Sequence, residues 1–289
     1  MTLYQLEVFL AVVQTGSFTR AGELLHASQS GVSHTIGDLE KELGIILFTR
    51  SRSGVTLTDT GAQILVHVRE IVNHSDQINQ VAAVSRNVNG GTIRIGAFAS
   101  FSAHVLPGIN QAFRNHYPGV ELLHFEGNYE EVSAWIKAGA VDLGFLADPS
   151  DDGLDIVHLL TDPYAAILPA NHRLKEHDLI SIEQLTHDPF LSLKSGCERP
   201  VMRAFQENGL TLNKQFEVTE HSTILSMVEA GIGVAVIPSM ILTAVPLKIM
   251  IKPLSPPINR DIGLAVLSMQ NVSPAVSEFI KFAQMQISS

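Results

Sequence analysis

Cysteine is nearly missing from this chain: Cys197 is the only one in 289 residues. A single cysteine excludes an internal disulfide framework and a cysteine-only metal cluster, and it fits a reducing compartment. Charge is sparse as well, at 17% of residues, and its balance is acidic, with 19 basic against 29 acidic side chains. That shortage of cations excludes bulk attraction as the means of holding an acidic polymer. Long apolar runs are also lacking. The longest, Ile232–Val245, is broken by Pro238, short of the ~20 apolar residues that a spanning helix needs. The opening MTLYQLEVFLAVVQTG has no basic n-region and no small-residue cleavage site, so it reads as a helix and not a signal peptide. His172 and His177 lie near Asp178 in a loop, without the spacing of a catalytic metal helix. No glycine-rich nucleotide loop with its lysine occurs. The expectation is a soluble, cytoplasmic protein with no membrane contact, no metal and no cofactor.

What is present is apolar residues, 45% of the chain, enough to build the cores of two or three domains. The charge deficit is uneven. Residues 1–60 carry four basic and six acidic groups, residues 61–91 two of each, and residues 92–289 thirteen against twenty-one. A nearly neutral head is therefore followed by an acidic body.

The head reads as helices. Leu3, Leu6, Phe9, Leu10 and Val13 recur at helical spacing, and Gly16 stops that helix. Ser17 is a good cap for a second helix, whose inward face is Ala21, Leu24 and Leu25. Ala27 and Ser28 read as the turn. A third helix from Gln29 to Leu43 carries Val32, Ile36, Leu39 and Leu43, and Gly44 ends it. RSRSGVTL at 50–57 contains a Ser–Gly turn and reads as a small hairpin. Two short helices at a tight turn, followed by a wing, form a geometry that places a helix in the DNA major groove. A long helix then runs from Thr58–Thr60 to about Ser85. Its stripe of Ile64, Leu65, Val68, Ile71, Val72, Ser75, Ile78, Val81 and Ala82 needs burial, against its own chain or against a second copy.

NVNGG at 87–91 is a linker. Beyond it, strands at GTIRIGAFAS, VELLHFEG and VDLGFLAD alternate with helices at 102–116 and 128–138, a βαβαβ pattern with a parallel sheet. DPYAAILPA, PFLSL, QFEVT, GVAVIPSM and LAVLSM supply later strands, and Ser273–Met285 a closing helix. Two α/β lobes are expected, with the cleft between them as the ligand site.

The frame FxxVxxxGSFTRAGExLxxSQSGVSxxIxxLExxLGxxLFxRxxxxxxLTxxG stands over Phe9–Gly61. On it the chain closely resembles the LysR-type bacterial transcriptional regulators. Weaker marks follow at Gly91, Leu106–Pro107, Phe113, Pro118 and VEAGIGVAVIP. The resemblance covers essentially the whole chain. It implies an α/β protein overall: an all-α winged helix-turn-helix at 1–58, a linker and dimerisation helix at 59–90, and a two-lobed, periplasmic-binding-protein-like effector domain at 91–289. Lobe I is placed at 91–161 and 268–289, and lobe II at 162–267. The implied function is sequence-specific, effector-modulated regulation of transcription, as activator or repressor, with no enzymatic activity and no catalytic residues. Partners implied are double-stranded promoter or operator DNA, a second copy in a homodimer or homotetramer, a small polar or anionic effector, and RNA polymerase. The chain departs from the family at Gly22, where alanine is commoner, at His34, where a basic residue is usual, and at Gly37, where a longer polar side chain is frequent.

DNA contact is expected from Gln29, Ser30, Ser33, His34 and Thr35 on the third helix, whose side chains suit base edges. Arg20, Arg50 and Arg52 suit phosphate or the minor groove. Effector contact is expected from Ser100, Phe101 and Ser102 after the first strand, although either serine also suits a helix cap. Further candidates are Phe145 at a strand end, Ser195 and Gly196 in LKSGCER, and Glu220 and Thr223 before a later helix. Cys197 reads as buried structural sulfur or as a redox group reacting without an internal partner. A rival reading is a metabolite-sensing module whose head has lost strong DNA binding.

Overall fold

The computed structural model describes residues 1–51, 54–85, 91–149, 153–194, 196–242 and 248–288. The chain divides into two compact units, one on Met1–Gly91 with Lys137–Ala140 and one on Thr92–Ile136 with Val141–Ser289.

In the first unit a hydroxyl opens each of the first three helices. Thr2 forms a capping box with Gln5 at the start of α1 (Leu3–Thr15). Ser17 Oγ accepts from the Arg20 N–H at 3.4 Å at the start of α2 (Phe18–Leu24). Ser28 Oγ accepts from the Gly31 N–H at 3.1 Å at the start of α3 (Gln29–Leu43). Ser28 is thus the cap of α3 and not the middle of a turn: its side chain satisfies a donor that the new helix would leave orphaned. Gly16 and Gly44 take left-handed φ values of 59° and 70° and end α1 and α3, a conformation glycine adopts without a Cβ penalty. Leu6, Phe9, Val12, Ala21, Val32, Ile36 and Leu39 close one core with Leu47 and Phe48.

Strands β1 (Phe48–Ser51) and β2 (Gly54–Leu57) pair antiparallel as the expected hairpin. Thr58 Oγ1 then accepts from the Gly61 N–H at 2.9 Å and donates to the Ile46 carbonyl at 2.8 Å. This fixes the start of α4 (Asp59–Ser85), 27 residues long. The α4 stripe is split in use. Val68 is buried in the head core, with Ile64, Leu65 and Val72 packed against it, whereas Ile71 is 43% and Ile78 70% exposed. The side chains of Val81 and Ala82 lie outside the described residues.

Among the described residues of the second unit, the main sheet runs β10 (Ile249–Pro253), β6 (Asp155–Pro169), β11 (Asn259–Val266), β5 (Leu143–Ala147), β3 (Gly91–Ala97) and β4 (Val120–Glu126), with β9 (Ala235–Pro238) added on β6. The expected βαβαβ start is β3 (Gly91–Ala97), β4 (Val120–Glu126) and β5 (Leu143–Ala147), with α7 (Tyr129–Lys137) before β5. The helix expected at 102–116 is two helices, α5 (Ala99–His104) and α6 (Leu106–His116). Pro107 sits in the first turn of α6, where its missing N–H costs nothing, but it cannot continue a preceding helix. The sheet is mixed and not simply parallel. β3 and β5 are parallel, but β11 (Asn259–Val266) lies antiparallel to both β5 and β6.

β6 (Asp155–Pro169) is a single 15-residue strand that begins before the expected Asp162. Its first half pairs with β11, and its second half pairs with β9 (Ala235–Pro238) and β10 (Ile249–Pro253). In that second half Tyr164, Ala166 and Leu168 enter one core while Ala165 and Ile167 enter another, because successive side chains of a strand point to opposite faces. A separate core joins Ile93, Ile95, Phe101, Phe113 and Phe145 to Ile262 and Leu264 of β11 and to Phe279 of α11 (Pro274–Ser288). β7 (Phe190–Leu193) and β8 (Lys214–Val218) form a parallel pair. α8 (Ile182–Leu185) precedes this pair, α9 (Arg199–Glu207) connects its strands, and α10 (His221–Glu229) follows it.

Candidate functional site

On the first unit, burial of Val32, Ile36 and Leu39 sets the rotation of α3. Gln29, Ser30 and His34 are exposed, while Ser33 and Thr35 are half-buried. The Ser30 hydroxyl lies 3.0 Å from that of Ser28. His34 Nδ1 is 2.9 Å from Asp38 Oδ2, one turn on. A Cβ at Gly37 would meet nothing within 4 Å, so this stretch of the helix surface is bare. Arg20 is exposed on α2. The backbone of Arg50 stands opposite Val55 in the hairpin; the side chain of Arg50, and all of Arg52, lie outside the described residues.

On the second unit, a cavity of about 160 Å³ is lined by Phe98, Ala99, Ser100, Glu126, Gly127, Asn128, Tyr129, Cys197, His221 and Arg260. Its innermost group is Arg260, 1% exposed. The β6/β11 register places Arg260 directly opposite Asp162, so the ion pair is a cross-strand neighbour contact. Arg260 Nε and Nη2 donate to Asp162 Oδ2 at 2.9 and 2.7 Å. Nη2 also donates to Ser100 Oγ at 3.1 Å, and Nη1 to Tyr129 Oη at 2.7 Å. The guanidinium stands 5.0 Å over the Phe98 ring, an attractive cation–π position. The other Asp162 oxygen accepts from the Met240 N–H at 3.0 Å. Burial pulls the Arg260 pKa down, but Tyr129, Asp162 and Tyr164 outweigh it and hold the pKa above its usual value.

Burial raises the pKa of both nearby phenols, Tyr129 and Tyr164, so both stay protonated donors. Tyr164 donates to the Cys197 carbonyl at 2.6 Å. His221 is pulled below its usual pKa, first by burial and then by the Arg260 charge, against opposing pulls from Glu220 and, more weakly, Glu126. The cavity thus holds fixed hydrogen-bond donors around a neutralised ion pair. That equipment suits binding, because a phenol kept neutral does not serve as a nucleophile.

Of the expected effector residues, Ser100 lines the cavity. Phe101 and Phe145 do not: they are fully buried and stack on each other with ring centroids 4.2 Å apart. They support the wall from behind. Ser102 Oγ is buried off the cavity without a hydrogen-bond partner among the described residues. Gly196 has φ 89°, and a Cβ there would lie 2.9 Å from the Tyr129 ring; it lets the 196–197 turn close on Tyr129. Ser195 lies outside the described residues. Glu220 precedes α10 without a side-chain capping bond, and Thr223 is exposed; the neighbouring His221 is the residue that reaches the cavity. Arg260, Asp162, Tyr129 and Glu126 were not anticipated. The available signal was the single arginine at the head of the apolar run Ile262–Val266, together with the aspartate opening DPYAAILPA.

Comparison with known proteins gives two family matches. The model described as "Bacterial regulatory helix-turn-helix protein, lysR family" matches residues 3–62, and "LysR substrate binding domain" matches residues 86–288. The HTH-type transcriptional regulator YvbU of Bacillus subtilis is 38% identical over 287 residues, covering 98% of each chain. Among solved structures, a full-length cysteine-to-aspartate variant of OxyR from Pseudomonas aeruginosa aligns with TM-score 0.80 at 24% identity, covering 99% of this chain and 94% of that one. Full-length CbnR complexed with its target DNA aligns with TM-score 0.65 at 20% identity, covering 99% of both.

Proposed function

Because the chain belongs to the LysR family of bacterial regulators, we propose that α3 reads operator DNA and that the Arg260 cavity receives a small effector that controls that reading. The family is one of transcriptional regulators that bind DNA through the helix-turn-helix head and act as oligomers. The observation that carries the proposal for this chain is the polar face of α3, held outward by its buried Val32–Ile36–Leu39 side.

In this reading Gln29, Ser30, Ser33, His34 and Thr35 meet base edges and nearby phosphate, and Arg20, Arg50 and Arg52 meet the backbone. Residues 1–58 form the head, 59–90 the linker and dimerisation helix, and 91–289 the effector domain, with lobe I at 91–161 and 268–289 and lobe II at 162–267. Ligand in the cavity changes the balance between two arrangements of the oligomer, which is allostery once the differential affinity is measured. Control of RNA polymerase, as activation or repression, follows at the promoter. The protein works in the cytoplasm, and no helix among the described residues is long and apolar enough to cross a membrane.

Footprinting on the native upstream region at low salt tests the reading. Protection of a partly palindromic sequence is expected, and it is lost in a Gln29→Ala, Ser33→Ala double variant that keeps its helical signal. No protection at low salt, with or without metabolites, favours the rival, a sensor whose head no longer holds DNA; the His34–Asp38 pairing and the bare Gly37 surface are what would make the head weak.

A further inference from the structure

Resting on the reading of the Arg260 cavity as the effector site, we infer that its ligand is a small amino carboxylate zwitterion. The carboxylate is held by the Ser100 and Tyr129 hydroxyls beside Arg260, and the ammonium by Glu126. The inner end of the cavity is a set of spare donors. Arg260 donates to the oxygens of both Ser100 and Tyr129, so each hydroxyl proton is turned away from the guanidinium. Neither hydroxyl donates to any described residue, and Ser100 is buried. Four contacts engage four of the five N–H groups that a guanidinium carries, leaving one on Nη1. Three donors at a buried wall call for an acceptor-rich partner, since leaving them unmet costs free energy. A carboxylate, with two oxygens and about four lone-pair sites, satisfies all three.

Glu126 supplies the other sign. Glu126 lines the cavity and is exposed, and no hydrogen bond or ion pair to a described residue occupies its carboxylate. His221, which also lines the cavity, is held toward its neutral form by burial. Arg260 and Asp162 cancel, so the wall carries a formal charge of about minus one from Glu126. A dianion meets repulsion there, a simple amine leaves the spare donors unmet, and a zwitterion matches both the donors and the carboxylate. Size narrows the class further. A cavity of about 150 Å³ accommodates a six-carbon ring, so this one takes a ligand on the order of six to eight heavy atoms.

The test is a thermal-shift titration of the full-length chain. Probes are L-alanine, L-serine, L-threonine, L-proline, L-valine and 4-aminobutanoate. Each is paired with the acid lacking the amine and the amine lacking the carboxylate, and malonate and succinate are added. At least one zwitterion raises Tm by about 5 °C at saturation, and removal of either charged group weakens its binding by at least about tenfold. Glu126→Gln, at an exposed position where folding is not at stake, weakens the zwitterion by about tenfold and leaves its des-amino partner within about twofold. A shift by succinate, malonate or a monoacid alone, abolished by Ser100→Ala, overturns the zwitterion while the effector cavity stands. A shift that survives both Ser100→Ala and Tyr129→Phe puts the ligand elsewhere and overturns the cavity reading itself. No shift with any zwitterion also overturns the inference.

Discussion

Arg260 and Asp162 face each other across two strands, both almost wholly buried, and a buried pair is more sensitive to losing one member than to losing both. Arg260→Met strands the Asp162 carboxylate, and we expect a loss of about 3–5 kcal/mol in urea unfolding. Arg260→Met combined with Asp162→Asn is expected to lose less than the single change, because no unpaired charge remains. His221 gives a pH signature. Its folded pKa lies below the ordinary value of 6.5, so the unfolded chain binds more protons as the pH falls. Its contribution is therefore fully present above pH 6.5 and is lost progressively as the pH drops through that value toward the folded pKa. Between pH 7.5 and 5.5 the Tm of the native protein should fall further than that of a His221→Gln variant. These two residues also mark where sequence reading stopped. Ser100 was legible because a serine after a strand and before a helix is a local pattern. Arg260 was not, since its partners at 162, 129 and 100 are brought together only by strand register and chain return.

The elements of the head were largely legible for a related reason: caps, glycine stops and the spacing of apolar residues are local. The elements that misled were those whose limits depend on distant pairing. β6 starts at Asp155 because β11 pairs with it as far as Val266, which stands opposite Asp155, a pairing of distant segments that no local pattern announces. Gly22 is explained at this scale. A Cβ there would lie 2.7 Å from the Ala27 carbonyl oxygen, so the turn between α2 and α3 closes directly on this glycine. Gly22→Ala, the change toward the family's commoner residue, is expected to cost about 1–3 kcal/mol by overpacking against backbone, read by thermal unfolding of the head. His34 is the other departure with a measurable result. His34→Arg in an Asp38→Asn background removes the competing carboxylate and should steepen the salt dependence of nonspecific DNA binding by about one unit. An unchanged slope in a salt titration would remove phosphate from the neighbourhood of residue 34.

At the scale of the whole molecule, the net charge of -10 and the exposed isoleucines of α4 belong together. A head with few cations gains affinity by presenting two copies at once, since linked sites bind with an effective local concentration. Ile71 and Ile78 supply an apolar surface on α4 that a second copy of the helix would bury. Ile71→Glu with Ile78→Glu should shift the mass seen by light scattering toward the monomer and weaken operator binding more than it alters unfolding of the head.

The uncut passage of β6 from one core into another has a mechanical meaning. With the chain from Ile258 to Val266 it makes two adjacent straps: Tyr164 and Ile258 are buried in one core, Ile262 and Leu264 in the other, against which Val157, Leu159 and Leu160 of β6 pack half-buried. Both straps are already extended, so neither can lengthen to let the cores separate. A change of angle between the cores would therefore have to be taken up within the straps. The Arg260–Asp162 contact ties the two straps together across their register, so a molecule bound beside Arg260 sits against the connection itself.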